Sequence, residues 1–316
     1  MLMNGMAAGA DSERHLAALQ ALDGRAVPTI CRVLGCMPED IGGVEPLKNG
    51  YTNQSYIFRV KGSPYVFRHP GAASADIIDR RSEYASQTIA ASLGIDGTFI
   101  AGDPEEGWKI SRFIPATVPF DYHDWDHVAQ AMALARKLHG CGQDSGFDFD
   151  IHQDTLKQIE LLDDAHRRYF DDLPELLQIA EQLNGALSGE GSKRCLCHND
   201  FYDENFLVGP DRMDLIDWEF SGMSDYASDL GVFIACCPDY TYEDALRIFE
   251  LYFQRPLTEG ELRHCVAAAA VVSFHWLIWA IYKEYTDESV GDLLHYYYRY
   301  TKLFNEKALG LGKEAR

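Results

Sequence analysis

The sequence predicts an α+β chain of two lobes, a small mixed, largely antiparallel sheet followed by a mainly helical part. Three observations predict it. In the first 115 residues, short β-branched and aromatic runs alternate with turn residues around one long helical pattern. After Pro115 the pattern changes to helical segments, with the run from Pro115 to Pro119 as a linker, so the parts are residues 1–115 and 116–316. Between those helices lies one dense polar stretch, His198 to Asn205, between apolar runs.

The elements follow in order. Residues 12–22 read as a short helix after a polar start, and an extended segment begins at 44–46. Asn49-Gly50-Tyr51-Thr52-Asn53 is turn chemistry, and the alternating Ser55-Tyr56-Ile57-Phe58-Arg59-Val60 reads as a strand. Lys61-Gly62-Ser63-Pro64 turns the chain into a second strand over 65–68, which gives an antiparallel hairpin. Residues 77–93 are helical, and strands over 98–101 and 108–114 are joined by Gly102-Asp103-Pro104. In the second part helices are expected over 125–138, 155–168, 174–187, 242–252, 259–285 and 287–306. Two short strands, 205–208 and 213–218, bracket the Gly209-Pro210-Asp211 turn. The most apolar stretch, 266–282, is short and carries Ser273 and His275, which favours a buried helix over a membrane span.

Composition narrows the function. The 316 residues are 47% hydrophobic and carry a formal charge of −21, a field that repels nucleic acid and anionic membrane. Neither nucleic-acid binding nor stable membrane insertion is expected, and no oligomer is predicted. The eight cysteines include no CxxC pair, and the N-terminus has neither a basic region nor an apolar run. Reduced thiols and a cytoplasmic location are expected. There is no GxxxxGK[ST] and no GxGxxG, so neither of those nucleotide folds is supported.

The central stretch reads His198-Asn199-Asp200-Phe201-Tyr202-Asp203-Glu204-Asn205, followed by Ile216-Asp217-Trp218-Glu219. An Asp, an amide and a second Asp at the ends of a short hairpin supply a base and two hard oxygen ligands for Mg²⁺. On composition alone, a polar loop capped by Asn and Asp is an equal reading.

The pattern HxDxxxxN with a downstream IDxE resembles the catalytic signature of the aminoglycoside phosphotransferase and choline kinase superfamily, and within it the bacterial choline kinases. The resemblance covers roughly residues 40–305 and implies a protein-kinase-like fold. It implies Asp200 as general base or orienter of the substrate hydroxyl, and Asn205 and Asp217 as Mg²⁺ ligands. Glu219 would complete or orient a second metal site. His198 would brace the catalytic loop, and Asp229 would hold its backbone, the plain alternative for Asp229 being a helix cap.

By the same resemblance Gly50, Thr52, Asn53, Gln54 and Ser55 belong to a phosphate-facing loop. Arg68 falls at the phosphate-contacting basic position and Glu83 at its paired helix acid. The resemblance implies ATP as phosphoryl donor.

On the acceptor side, Trp276 and Trp279 lie three apart on one helix face. Such a stripe is commonly core, but choline kinases carry a similar pair that walls a quaternary ammonium. Tyr282 extends the aromatic region. Alignment by Arg299 puts His295 where the family usually has Tyr, and a one-residue shift puts Tyr296 there instead. The expected activity is γ-phosphoryl transfer to choline, the partner being a small cationic alcohol. Ethanolamine, an aminoglycoside or another small molecule is the alternative acceptor, and a catalytically silent binding module is the alternative of another class.

Overall fold

The computed structural model describes residues 26–47, 53–70, 78–115, 117–187, 192–286 and 288–314. The helix expected over 12–22, and Gly50 and Thr52 of the phosphate-facing loop, lie outside them. The chain divides into two compact units, Met1–Thr117 with Gly209–Glu219, and Val118–Val208 with Phe220–Arg316. A single boundary at 115/116 therefore does not describe the division. Residues 209–219 return to the first unit because long-range bonds hold them there. The Gly97 N–H donates to Asp214 Oδ1 (2.7 Å), and the Leu215 N–H donates to the Ile95 carbonyl (3.1 Å).

The first unit is built on a five-stranded antiparallel sheet of order β1-β2-β3-β5-β4. Its strands are β1 (Ile41–Pro46), β2 (Asn53–Val60), β3 (Ser63–Pro70), β4 (Phe99–Gly102) and β5 (Lys109–Arg112). Strands β2 and β3 pair from Asn53↔Pro70 to Val60↔Ser63 around a two-residue turn. Lys61 and Gly62 there have φ of +51° and +86°, the doubly left-handed turn that matches strand twist. Phe58, Val60, Phe67 and Ile110 point to one face and bury against Ala26 and Ile30 of helix α1 (Ala26–Leu34). Helix α2 (Arg80–Ser92) is capped by the Asp79 carboxylate, which accepts the Arg81 and Ser82 N–H groups. That cap fixes Glu83 in the first turn. Strand β8 (Met213–Leu215) is shorter than the expected 213–218, because Asp217 takes a left-handed φ of +66°.

The second unit is mainly helical. Its helices are α3 (Trp125–His139), α4 (Ile151–Leu161), α5 (Leu173–Ala186), α6 (Tyr226–Ala235), α7 (Tyr242–Phe253), α8 (Glu259–Tyr285) and α9 (Leu293–Glu314). It also holds β6 (Arg194–Cys197), β7 (Phe206–Val208) and β9 (Gly222–Asp225), with β6 antiparallel to β9. The expected helix over 155–168 is two elements. Helix α4 starts at its Asp150 cap and ends at Leu161, and Asp163 then caps a separate 3-10 turn, His166–Arg168.

Helix α8 is the centre of this unit and packs against α4, α5, α6 and α9. It is long and apolar enough to cross a membrane, but most of that apolar stretch is buried inside the protein. A reciprocal cap between Thr258 and Glu261 starts it. Helix α6 gives no amphipathic signal because all ten of its residues are buried.

Close packing of α6 on α8 rests on Gly231. A Cβ there would lie 2.9 Å from Val272 Cγ2 and 3.1 Å from Val272 Cβ. Val272 is β-branched and has one favoured rotamer in a helix, so it cannot swing aside. Gly231→Ala should destabilise the protein by about 1–2 kcal/mol, overpacking outweighing the gain in helix propensity. Urea unfolding monitored by tryptophan fluorescence checks this, and an unchanged or raised midpoint would contradict the packing argument.

Candidate active site

Strand β6 delivers the chain into the loop that begins at His198. Asn199 takes a φ of +62°, a conformation Asn tolerates better than most residues, and turns the chain toward Asp200. The backbone N–H groups of His198 and Asn199 donate to Asp229 Oδ2 and Oδ1 at 2.9 and 2.6 Å. Asp229, fully buried on α6, also lies 2.9 Å from His139 Nε2, and His139 Nδ1 lies 2.9 Å from the Tyr252 hydroxyl. Burial alone would raise the Asp229 pKa. Hydrogen bonding and charge from His139, with His198, hold it below the usual carboxylate range. The loop closes through the 3-10 turn Asp203–Asn205. There the Asn205 amide donates to the Asp200 carbonyl (2.8 Å) and to Asp200 Oδ2 (2.9 Å).

The first unit gathers a second set. Arg68 on β3 grips Glu83 with both arms of its guanidinium, Nη1–Oε1 at 2.5 Å and Nη2–Oε2 at 2.7 Å, and both side chains are buried. Lys109 stands opposite Arg68 in the β3–β5 register and reaches Glu83 Oε1 at 3.1 Å. Arg80, one turn before Glu83 on α2, reaches Oε2 at 2.9 Å. Burial would push the Glu83 pKa up, but Lys109 and Arg68 overcome it and hold the carboxyl well below its ordinary range. Asp217 and Glu219 follow β8, and Trp218 between them is fully buried, its indole N–H donating to the Leu215 carbonyl (3.2 Å). Burial, then the Asp217 and Glu83 carboxylates, push Glu219 up to about 7. Ser55 faces Arg68 across the hairpin, Gln54 is exposed, and Asn53 is the first residue of β2. Lys109 and Arg80 were not singled out from the sequence. Arg80 had a signal in its i,i+3 spacing to Glu83, and Lys109 had only its sheet register.

In the second unit the Trp276 and Trp279 rings meet edge to face, with centroids 5.4 Å apart. Tyr297 stacks on Trp276 at 6.0 Å and 23°. The Trp276 Nε1 is buried and makes no hydrogen bond among the described residues. The Lys283 ammonium lies 5.8 Å above the Trp279 ring. Tyr282 is half-buried beside Tyr285.

Tyr296 adjoins Tyr297, ring centroids 5.2 Å apart, and is held by its own bonds. Its ring is buried and its hydroxyl lies 2.9 and 2.7 Å from the Ala235 and Cys237 carbonyls. Those bonds, with Tyr300 bonded to the Tyr240 carbonyl, set the rotation of α9 and put Tyr297 beside Trp276. His295 is exposed and meets Phe170 edge-on at 5.9 Å, away from the tryptophans. Burial, then Cys236 and Asp203, push the Tyr297 phenol up; the Cys236 thiol is itself pushed well above its ordinary value and stays neutral, so the negative groups near this ring are the Asp203 and Asp200 carboxylates.

Residues 43–265 match the phosphotransferase enzyme family. The chain is similar to protein LicA of Haemophilus influenzae, 24% identical over 257 residues, covering 77% of this chain and 74% of the relative. It is similar to a probable ethanolamine kinase A of Dictyostelium discoideum, 23% identical over 288 residues, covering 80% of this chain and 82% of the relative. The crystal structure of choline kinase LicA from Streptococcus pneumoniae matches with a TM-score of 0.71 at 23% identity, over 88% of this chain and 97% of that one. These likenesses show the α+β, kinase-like fold.

The Glu83 cluster sets a pH dependence. The folded carboxyl is depressed below its unfolded value near 4.5, so its stabilisation is present above that pH and is lost as pH falls toward the folded value. Glu83→Gln leaves three buried or half-buried cations facing a neutral amide. It should cost about 3–5 kcal/mol at pH 7, the cost of breaking a buried ion pair from one side. The urea midpoint should fall from pH 7 to pH 4 in wild type and fall less in Glu83→Gln. Parallel losses in both proteins would contradict the assignment.

Proposed function

The chain belongs to the phosphotransferase enzyme family, and on that premise we propose that it transfers the γ-phosphoryl group of ATP to the hydroxyl of choline. The observation that carries the reaction is the Asp200–Asn205 pair. Asn205 holds one carboxylate oxygen of Asp200 at 2.9 Å, which orients the carboxylate to take the acceptor's O–H proton. Asn205 and Asp217 are the residues that would hold Mg²⁺ with their hard oxygens, and Glu219 would complete or orient a second metal site. The donor set fits a divalent cation, since burial, and after it the Asp217 and Glu83 carboxylates, raise Glu219 to about 7, and a cation would offset both. When bound, the ion offsets the charge of the transferring phosphoryl group. Arg68, fixed in its plane by Glu83, offers guanidinium charge to phosphate oxygens, and Lys109 and Arg80 add to the local positive field.

Acceptor choice is read from the aromatic wall. Choline has no N–H donor, so cation–π attraction and apolar contact must hold it. Ethanolamine brings three N–H donors that need acceptors once stripped of water. Trp276 and Trp279 offer ring faces, and the buried Trp276 N–H is itself a donor. The wall therefore favours choline. The Dictyostelium relative is named as a probable ethanolamine kinase, which makes that amine the rival acceptor.

Two outcomes are expected. Asp200→Asn should lower kcat by about 10²–10⁴, the usual worth of a general base, with ATP affinity changed little. Near-normal turnover in this variant would remove Asp200 from the chemistry, and a wild type with no turnover of any small alcohol would favour a silent binding module. For the acceptor, wild type should prefer choline over ethanolamine in kcat/KM. Trp276→Ala should raise the choline KM by about twofold to thirtyfold, more than the ATP KM, and Trp276→Phe should do less harm. Equal disturbance of both KM values, with a lowered melting temperature, would mark Trp276 as core packing.

A further inference from the structure

Cys195 and Cys197 stand two residues apart on β6, so their side chains leave the strand on one face. Their Sγ atoms lie 3.7 Å apart, and both thiols are free. His139 of α3 reaches the same point, and one ring nitrogen and the two sulfurs lie within 4.8 Å of one another. All three side chains are buried, Cys197 completely. Two metal–sulfur bonds of about 2.3 Å at a tetrahedral angle put the sulfurs roughly 3.8 Å apart, which is the spacing found.

A disulfide fits less well. Two residues apart on a strand place the Cα atoms about 6.5–7 Å apart, at the upper limit for a disulfide. Pairing of Cys195 with Ser224 and of Cys197 with Gly222 keeps β6 extended.

We propose that His139, Cys195 and Cys197 form a binding site for a thiophilic divalent cation, zinc foremost. Two thiolates and one divalent ion make a neutral cluster, which a buried site tolerates. Binding forms two metal–sulfur bonds and one metal–nitrogen bond, a water that enters with the ion completes the tetrahedron, and the two thiol protons leave to solvent, with no change of oxidation state. A metal-bound imidazole commonly gives its other N–H to a carboxylate. Asp229 is that carboxylate when the metal takes Nδ1 in exchange for the Tyr252 hydroxyl. Because Asp229 also holds the His198 and Asn199 N–H groups, the metal site and the catalytic loop share one anchor.

The test is an anaerobic Co²⁺ titration of the full-length, reduced protein, with time allowed for local opening. One Co²⁺ per chain should bind, with thiolate-to-cobalt absorption in the near ultraviolet, tetrahedral d–d bands and release of about two protons. Zn²⁺ should bleach the bands, since it binds such ligands more tightly. Cys195→Ser should abolish them, and Cys31→Ser should leave them intact. Cys195→Ser and Zn²⁺ displacement carry the test if Cys197→Ser fails to fold. Absence of bands in the folded, reduced protein would overturn the proposal. So would bands that survive Cys195→Ser, or an internal disulfide forming in a protein that takes up no metal when reduced.

Discussion

The buried carboxylate of Asp229 is the interaction on which the loop from His198 to Asn205 depends. Burying an unpaired carboxylate is costly, so its position is tolerable only if donors meet it. They do: two backbone N–H groups from the loop and the ring of His139. The same bonds hold Asn199 in a left-handed conformation that costs on the order of 1 kcal/mol, against hydrogen bonds to a charged acceptor worth about 1.5–3 kcal/mol each. The loop shape is therefore imposed by a charge on α6 rather than by local preference. Asp200 and Asn205 inherit their alignment from it.

The first unit uses the opposite arrangement. Glu83 is one carboxylate among three cations, Arg68, Arg80 and Lys109. The formal charge of the whole chain is −21, which disfavours a large polyanion, yet this cluster keeps a local positive surplus. Its chemistry suits a small anion. Glu83 holds the Arg68 fork in one plane before any phosphate arrives, so less side-chain entropy is lost on binding. Asp217 and Glu219 add oxygens in the same unit, and burial, then the Asp217 and Glu83 carboxylates, outweigh Arg68 and Arg80 in raising proton affinity at Glu219.

What was legible in the sequence was local. The β2–β3 hairpin shows in its alternation and in the Lys61-Gly62 turn, α2 in its Asp79 cap, and the loop in the spacing of Asp200, Asn205 and Asp217. What was not legible depends on distant partners. The β6–β9 pairing joins Cys195 to Ser224, His139 meets Asp229 across 90 residues, and Asp214 draws residues 209–219 back to Gly97. Helix α6 hid because it is buried all round, Asp229 included, and so shows no polar face. Lys109 is visible only once the register opposite Arg68 is known. Tyr297 stands beside Trp276 because the Tyr296 hydroxyl is held by the Ala235 and Cys237 carbonyls, a constraint no periodicity encodes.

The tryptophans on α8 invite a comparison within the chain. Trp218, a packing residue, is fully buried and donates its indole N–H to the Leu215 carbonyl. That is how a buried tryptophan ordinarily avoids the cost of an unmade bond, about 1–3 kcal/mol. Trp276 is half-buried and its buried N–H has no such partner among the described residues. A residue selected for packing alone would be expected to resemble Trp218. The Lys283 ammonium, ion-paired with Glu288 at 2.8 Å, lies 5.8 Å over the Trp279 ring, within cation–π reach. If that contact persists when an acceptor binds, the Trp279 face is partly used. Under the proposed function, the stacked Trp276 and Tyr297 rings, near the Asp203 and Asp200 carboxylates, then carry more of the attraction for the substrate ammonium. The proposed acceptor wall thus rests on one residue that the sequence pattern names and one that only the rotation of α9 reveals.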